Sequence, residues 1–197
     1  SGNADTINLN VVHNGSIIDG GTGIDTASYA NVTTALTVTV NSGNTSAIVN
    51  DGTNSNTLKN IEKIIGGDGN DAFTVSNVAG INTLDGDGGT NTLQLSGSLD
   101  LSSVTLLNFN NILIANGDTL TLNAVNLDGK TMTIELQGSG SLVIVGTTTA
   151  TDFDFDNITI NNTGASQTGT TTLQLDATVN LVGHDINGTN NIIDKIL

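Results

Sequence analysis

The chain has 197 residues, with 19 acids against four bases and a net charge of −15. Lys59, Lys63, Lys130 and Lys195 are its only bases, too few to neutralise a phosphate backbone, and an anionic membrane surface would repel it. The lack of cysteine excludes disulfides, thiol catalysis and cysteine-ligated zinc, no apolar run approaches the ~20 residues of a membrane span, and none of the residues given reads as a leader peptide.

The acids are 17 Asp and two Glu, Glu62 and Glu135. Glu is a good helix former, whereas Asp favours turns and caps. The bias therefore removes helix and keeps short carboxylates at turns, where a hard cation such as calcium finds its ligands. Hydrophobic residues make up 36% and sit in patterned segments, unlike those of a disordered acidic tail.

In chain order, Gly20-Gly-Thr-Gly-Ile-Asp-Thr-Ala-Ser28 fits the nonapeptide G-G-x-G-x-D-x-U-x, with U apolar. Leu36-Thr-Val-Thr-Val40 alternates with period two and predicts a strand, within a Thr/Val hairpin spanning about residues 29–50. Asp51-Gly-Thr-Asn54 predicts a turn and opens a weak repeat copy that ends at Leu58. Asn60-Ile-Glu-Lys-Ile64 leads into a second full nonapeptide, Gly66-Gly-Asp-Gly-Asn-Asp-Ala-Phe-Thr74. Gly86-Asp-Gly-Gly-Thr-Asn-Thr-Leu-Gln94 is a degenerate third, with Asp87 for the second Gly and Asn91 for the Asp.

Further strands are predicted at Thr92–Leu95, Thr119–Asn123, Met132–Leu136, Leu142–Val145 and Thr172–Leu175. Turns fall at Asn116–Asp118, Leu127–Lys130 and Gly138–Ser141, the last read as a hairpin turn because no helix follows to make it a phosphate loop. Looser echoes link Asn60–Ile64, Asn111–Ile114 and Asn157–Ile160, and Thr90–Leu95 with Thr170–Leu175. Strand-turn copies imply stacking of like on like. The fold class is all-β: a parallel β-roll or β-helix-like solenoid of short strands with an inserted hairpin.

The nonapeptides and their flanks, Asp25-Thr-Ala-Ser-Tyr-Ala-Asn31 and Leu58-Lys-Asn-Ile-Glu62, resemble the RTX (repeats-in-toxin) β-roll of type I-secreted bacterial adhesins and surface-layer proteins. The resemblance covers about residues 19–95; the later half looks like the Thr/Asn-rich strand repeats of such proteins. It implies an RTX-like calcium-binding region over residues 1–95 and a strand-repeat region over 96–197, continuous with the first. The tail Asn190–Leu197 resembles a type I secretion signal.

The chemistry follows from the residue types. Gly opens backbone angles that turn carbonyls inward, and the Asp adds a carboxylate. Calcium takes 6–8 oxygens, so one such turn is half a site and a stacked second turn completes it. In a regular β-roll, same-edge loops recur about every 18 residues. Gly66 and Gly86 are 20 apart and Gly20 and Gly66 are 46 apart, the surplus assigned to the hairpin. The three loops are thus expected to stack on one edge around up to two calcium ions, Asp25 and Asp71 serving one gap and Asp71 and Asn91 the other. The candidate metal set is Gly20, Thr22, Asp25, Gly66, Asp68, Asp71, Gly86, Gly88 and Asn91, with Asp85 and Asp87 as secondary candidates. Asn91 is neutral, which weakens the second gap.

Little suggests catalysis. His13 and His184 lack metal-type partners at i+2 or i+4, and no G-x-S-x-G elbow occurs. Asp152, Asp154 and Asp156 alternate with Phe153 and Phe155, a plain amphipathic strand pattern that could alternatively hold a cation or pair two carboxylates as in a glycosidase. Sequons at Asn31, Asn157 and Asn161 are expected by chance in this composition.

The expected function is structural: a secreted bacterial surface-layer or matrix protein at the cell surface that folds and self-associates with calcium. The alternatives are an adhesin-type module binding a glycan or host surface, and an accessory domain of a secreted hydrolase or lyase.

Overall fold

The structure is a computed structural model that describes residues 2–41, 47–146, 155, 157–163, 168–174 and 195–196. The described residues are all-β, with 47% of them in strands, and form a parallel β-solenoid of about seven turns. Two compact units divide it: Ser1–Gln94 with Val104–Phe109, and Leu95–Ser103 with Asn110–Leu197.

The strands of the first unit are β1 (Thr6–Asn8), β2 (Ser16–Asp19), β3 (Thr26–Ser28), β4 (Thr37–Val40), β5 (Ala47–Asn50), β6 (Ser55–Lys59), β7 (Lys63–Ile65), β8 (Ala72–Val75), β9 (Thr83–Asp85), β10 (Thr92–Leu95) and β12 (Thr105–Leu107). One sheet runs β1-β3-β7-β9-β12, all parallel. A second runs β10-β8-β4-β5-β6-β2. The regular circuit is short: Thr6 pairs with Thr26 and Lys63 with Thr83, 20 residues apart in each case.

Period-two alternation turns one face of each strand inward. Ala27, Ile64, Leu84 and Leu106 form one buried row across the first sheet. Val49, Val38 and Phe73 form another in the second sheet, with Asn56 at its end. Asn56 is buried because both ends of its amide are used. Its Oδ1 accepts the Tyr29 hydroxyl at 3.1 Å, and its Nδ2 donates to the His13 carbonyl at 2.6 Å. Burial pushes the Tyr29 phenol well above its ordinary range.

The expected hairpin is present as β4 against β5, antiparallel, with Val38 opposite Val49. The next step has no counterpart in the expected hairpin. β6 is antiparallel to β5 and comes back parallel to β2, with Ile18 opposite Leu58. The insertion therefore reverses the chain twice and regains the solenoid direction.

The second unit holds β11 (Leu99–Asp100), β13 (Asn111–Ile114), β14 (Thr119–Asn123), β15 (Met132–Gln137), β16 (Ser141–Val145), β17 (Ile158–Thr163), β18 (Thr170–Gln174) and β19 (Lys195–Ile196). Ile112, Ile134 and Ile160 stack in one sheet, and Leu120 and Leu142 in the other. Gly138–Ser141 is not a hairpin turn. It is a solenoid corner, because β15 pairs with β13 and β17 while β16 pairs with β14 and β18. Asn116 holds this corner from the turn beneath, its Oδ1 accepting the Ser139 amide at 2.9 Å. The one 3-10 turn of the described residues, Ala124–Asn126, is capped by the Asn123 side chain.

Candidate functional site

The nonapeptide loops sit at corners where the chain passes between sheets. The Gly66 loop leaves β7 for β8 and the Gly86 loop leaves β9 for β10, so both cross in the same direction and stack one turn apart. The Gly20 loop leaves β2 for β3 and crosses in the opposite direction. The expectation of three loops on one edge is thus corrected: Asp71 and Asn91 share a column, and Asp25 belongs to another. Gly20 stacks instead against Asn60, its amide donating to the Lys59 carbonyl at 3.1 Å.

In the paired loops the inner side chains are bound by the protein itself. Asp71 is 2% exposed. Its Oδ1 accepts the Leu36 amide at 2.7 Å, and its Oδ2 accepts the Gly67 amide at 2.6 Å. Asn91, fully buried, takes the Asp71 amide on Oδ1 at 2.8 Å and donates from Nδ2 to the Gly88 and Asn108 carbonyls at 2.8 and 3.0 Å. Leu36, Asp71 and Asn91 are one ladder position on successive turns, and each acid or amide reaches back to the turn before. Burial pushes the Asp71 carboxyl up, the Gly67 and Leu36 amides oppose this, and the charge of Asp87 adds to it.

The outer carboxylates are less well served. Asp87 is pushed up by burial and by the charges of Asp85 and Asp68. It holds φ of 58°, a left-handed angle that Asp tolerates, and its amide donates to Asp85 Oδ1 at 2.9 Å. Asp68 is exposed and lies over Gly88, where a Cβ would meet Asp68 Cα at 2.8 Å. Gly66 and Gly86 are buried contacts: a Cβ on Gly66 would meet the Asp71 carboxylate, and one on Gly86 the Asn108 carbonyl at 2.7 Å. Thr22 is exposed on the first loop. Among the described residues no three acidic, imidazole or thiol side chains converge on one point. A cation at these loops would therefore rest on one or two of Asp68, Asp85 and Asp87 and on main-chain carbonyls. The crowding of like charge there fits a cation.

Sequence reasoning missed two asparagines. Asn60 and Asn108 hold φ of 50° and 55° and stack on Gly20 and Gly86. The first donates to Asp19 Oδ1 at 2.8 Å and the second to Asp85 Oδ1 at 2.7 Å. The available signal is an Asp-Gly pair at one turn and, a turn later, a strand followed by Asn, an apolar residue and then Glu or Asn.

His13 is exposed and lends only its carbonyl. Phe155 is buried, while Asp152, Phe153, Asp154, Asp156, His184 and most of the tail lie outside the described residues. No described helix is long and apolar enough to cross a membrane. Comparison with family models, with curated proteins and with solved structures finds no match for this chain.

Proposed function

We propose that the chain is a non-enzymatic, structural module of a secreted bacterial surface protein, such as a surface-layer or matrix component, which folds with calcium outside the cell and associates with copies of itself. The observation that carries this reading is the like-charge crowding of Asp68, Asp85 and Asp87 on the stacked Gly66 and Gly86 loops. Bound calcium supplies the counter-charge and ties two turns together. Asp68 and Asp87 would hold it, with Asp85 already engaged by the Asp87 amide and the Asn108 side chain.

Self-association has its own support. Among the described residues, β1 and β2 are the terminal strands of their sheets, and Ile17 on β2 is 61% exposed. An unpaired strand edge templates pairing with another chain.

The test is thermal unfolding in calcium and in chelator, with size-exclusion chromatography of both samples. The expected result is a higher Tm and larger species in calcium. Identical melts and elution overturn the reading. A second reading, glycan binding, is favoured by a cavity of about 250 Å³ lined by Asn10, Val11, Asn31, Thr33, Thr34 and Asp51. A persistent monomer that binds a glycan array would select it.

A further inference from the structure

The inserted strands open a cleft beside the first two turns. β1 and β3 are neighbours in their sheet, with Thr6 opposite Thr26. The strands that follow them are not neighbours. β2 and β4 are held apart by β6 and β5, three strand spacings or roughly 14 Å. The two connecting loops, residues 9–15 and 29–36, therefore start side by side and diverge. Near their start they are still joined, Asn31 Nδ2 donating to Asn10 Oδ1 at 2.9 Å. Between them lies a cavity of about 250 Å³, with buried Val12 and Val32 in its wall. The turn from β5 to β6 brings Asp51 to the same cavity.

The cleft is held in shape by the chain. Asn56, on β6, accepts the Tyr29 hydroxyl at the start of one loop and donates to the His13 carbonyl in the other. Asp51 Oδ1 accepts the Asn54 and Thr53 amides at 2.7 and 2.9 Å, which fixes its turn and holds its carboxyl below the ordinary range. Asp51 Oδ2 takes only the Asn54 side-chain amide, at 3.3 Å. Among the described residues, Asn10 Nδ2, Asn31 Oδ1 and the Thr33 and Thr34 hydroxyls make no hydrogen bond within the chain.

This lining selects a ligand class. Among the described residues, Asp51 is the only ionisable side chain of the cleft, and no aromatic ring lines it. One carboxylate with an oxygen already engaged offers a divalent cation too few ligands, and its charge repels an anion. The other polar groups mix donors and acceptors. That mixture suits a hydroxylated ring, because each hydroxyl both gives and takes a hydrogen bond. Val11, 46% exposed, adds an apolar patch for the C–H face of such a ring. The volume falls below the roughly 300–1,000 Å³ of drug-sized sites, so one ring fits and an extended chain does not.

We propose that this cleft binds one neutral sugar ring, the end residue of a glycan, with Asp51 Oδ2 and Asn31 Oδ1 accepting from its hydroxyls and Asn10 Nδ2 donating to one. The site deepens the glycan-binding reading, on which it rests, and does not depend on a calcium ion.

Ligand-observed NMR titration of the whole chain in calcium buffer tests the cleft, with methyl glycosides of neutral hexoses, of an amino sugar and of sialic acid as probes. Weak, saturable binding of at least one neutral glycoside is expected, with none of sialic acid. Asp51→Asn keeps an acceptor for the turn amides and should weaken binding at least tenfold. Val11→Phe, at an exposed position, fills the cleft and should abolish binding with Tm unchanged. Equal binding by the unmodified chain and both variants overturns the cleft and leaves the glycan reading standing, with its site elsewhere. Binding of the amino sugar alone, or of sialic acid, puts a different chemistry at Asp51 and also overturns the cleft. If no glycoside binds, the cleft falls; a glycan array then decides the wider reading, which falls with it if the array is blank.

Discussion

The side chain of Asn91 reaches back one turn and accepts the backbone amide of Asp71 at 2.8 Å. It does so while donating to the Asp87, Gly88 and Asn108 carbonyls, so a fully buried amide is satisfied on both ends. The residue that breaks the nonapeptide pattern is thus the one best matched to its surroundings.

Two substitutions separate these contacts. Asn91→Ala removes the acceptor of the Asp71 amide and the donor that serves three carbonyls, and should cost about 3 kcal/mol in urea unfolding. Asn91→Asp restores the full repeat and keeps the acceptor, but aims a carboxylate at the Gly88 and Asn108 carbonyls. It should cost about 2 kcal/mol in chelator. Calcium should return part of that loss; a loss of equal size in calcium and in chelator would count against an ion between the paired loops.

Glycine spacing gives a second expectation. A Cβ on Gly67 would run into the Val32 carbonyl, and one on Gly69 would lie 2.6 Å from the Ala35 amide nitrogen. Both neighbours are backbone and cannot rotate away. Gly67→Ala and Gly69→Ala should each cost about 1–3 kcal/mol. Gly117 has φ of 84° and nothing within 4 Å of its Cβ position, so only the backbone angle restricts it. Gly117→Asn, a residue that visits left-handed angles, should cost about 1 kcal/mol or less. Equal melting shifts at the three positions would contradict the stacking.

The strands were legible because their period-two apolar pattern is unambiguous: Thr119–Asn123 and Met132–Leu136 stand where the alternation puts them, within a residue at the ends. The corner to which each loop belongs was not. A Gly-rich turn with an acid can cross from either sheet to the other, and nothing in Gly20–Asp25 marks its direction. The 46 residues from Gly20 to Gly66 read as one circuit plus a hairpin, but β6 adds a second reversal that spacing cannot reveal. The looser echoes do not mark equivalent positions, for a similar reason. Asn60 corresponds in geometry to Asn108, which shares its positive φ, and not to Asn111, which lies inside β13. Stacking selects by backbone angle, and a shared Asn-Ile does not report that angle.

Phe73 tests the core. It is fully buried and meets Phe109 edge-to-face, with centroids 5.1 Å apart at 88°. Phe73→Ala should cost about 3–5 kcal/mol through lost burial and the cavity left behind. Phe73→Leu keeps most of the volume but loses the aromatic pair, and should cost about 1–2 kcal/mol. Chemical denaturation should place the two in that order. A Leu variant as damaged as the Ala variant would mean that ring geometry outweighs volume here.

The acids of the paired loops predict an unusual pH profile. Asp71 and Asp87 are both pushed above the ordinary aspartate range, so the stability they contribute is present at low pH and is lost as pH rises through their raised values. At neutral pH, without a cation, their ionised forms oppose folding. Asp51 and Asp100 behave in the opposite way. The Asn54 and Thr53 amides hold the first below the ordinary range, and Ser102 holds the second, so what these two contribute is lost as pH falls through their lowered values. In chelator, Tm should therefore rise as pH drops from 7 toward about 4–5, then fall below about 4. Easing of the overall charge repulsion adds to the rise, so a variant is needed to isolate the loop. Asp87→Asn keeps a side chain that tolerates φ of 58° and leaves intact the donation of its amide to Asp85. It should raise Tm at pH 7 and flatten the profile between pH 7 and 5. Saturating calcium should shrink the advantage of the variant, because the ion already neutralises the wild-type loop. A lower Tm for Asp87→Asn in chelator at pH 7 would show that the Asp87 charge is compensated within the folded chain, and the crowding of Asp68, Asp85 and Asp87 would no longer argue for a cation.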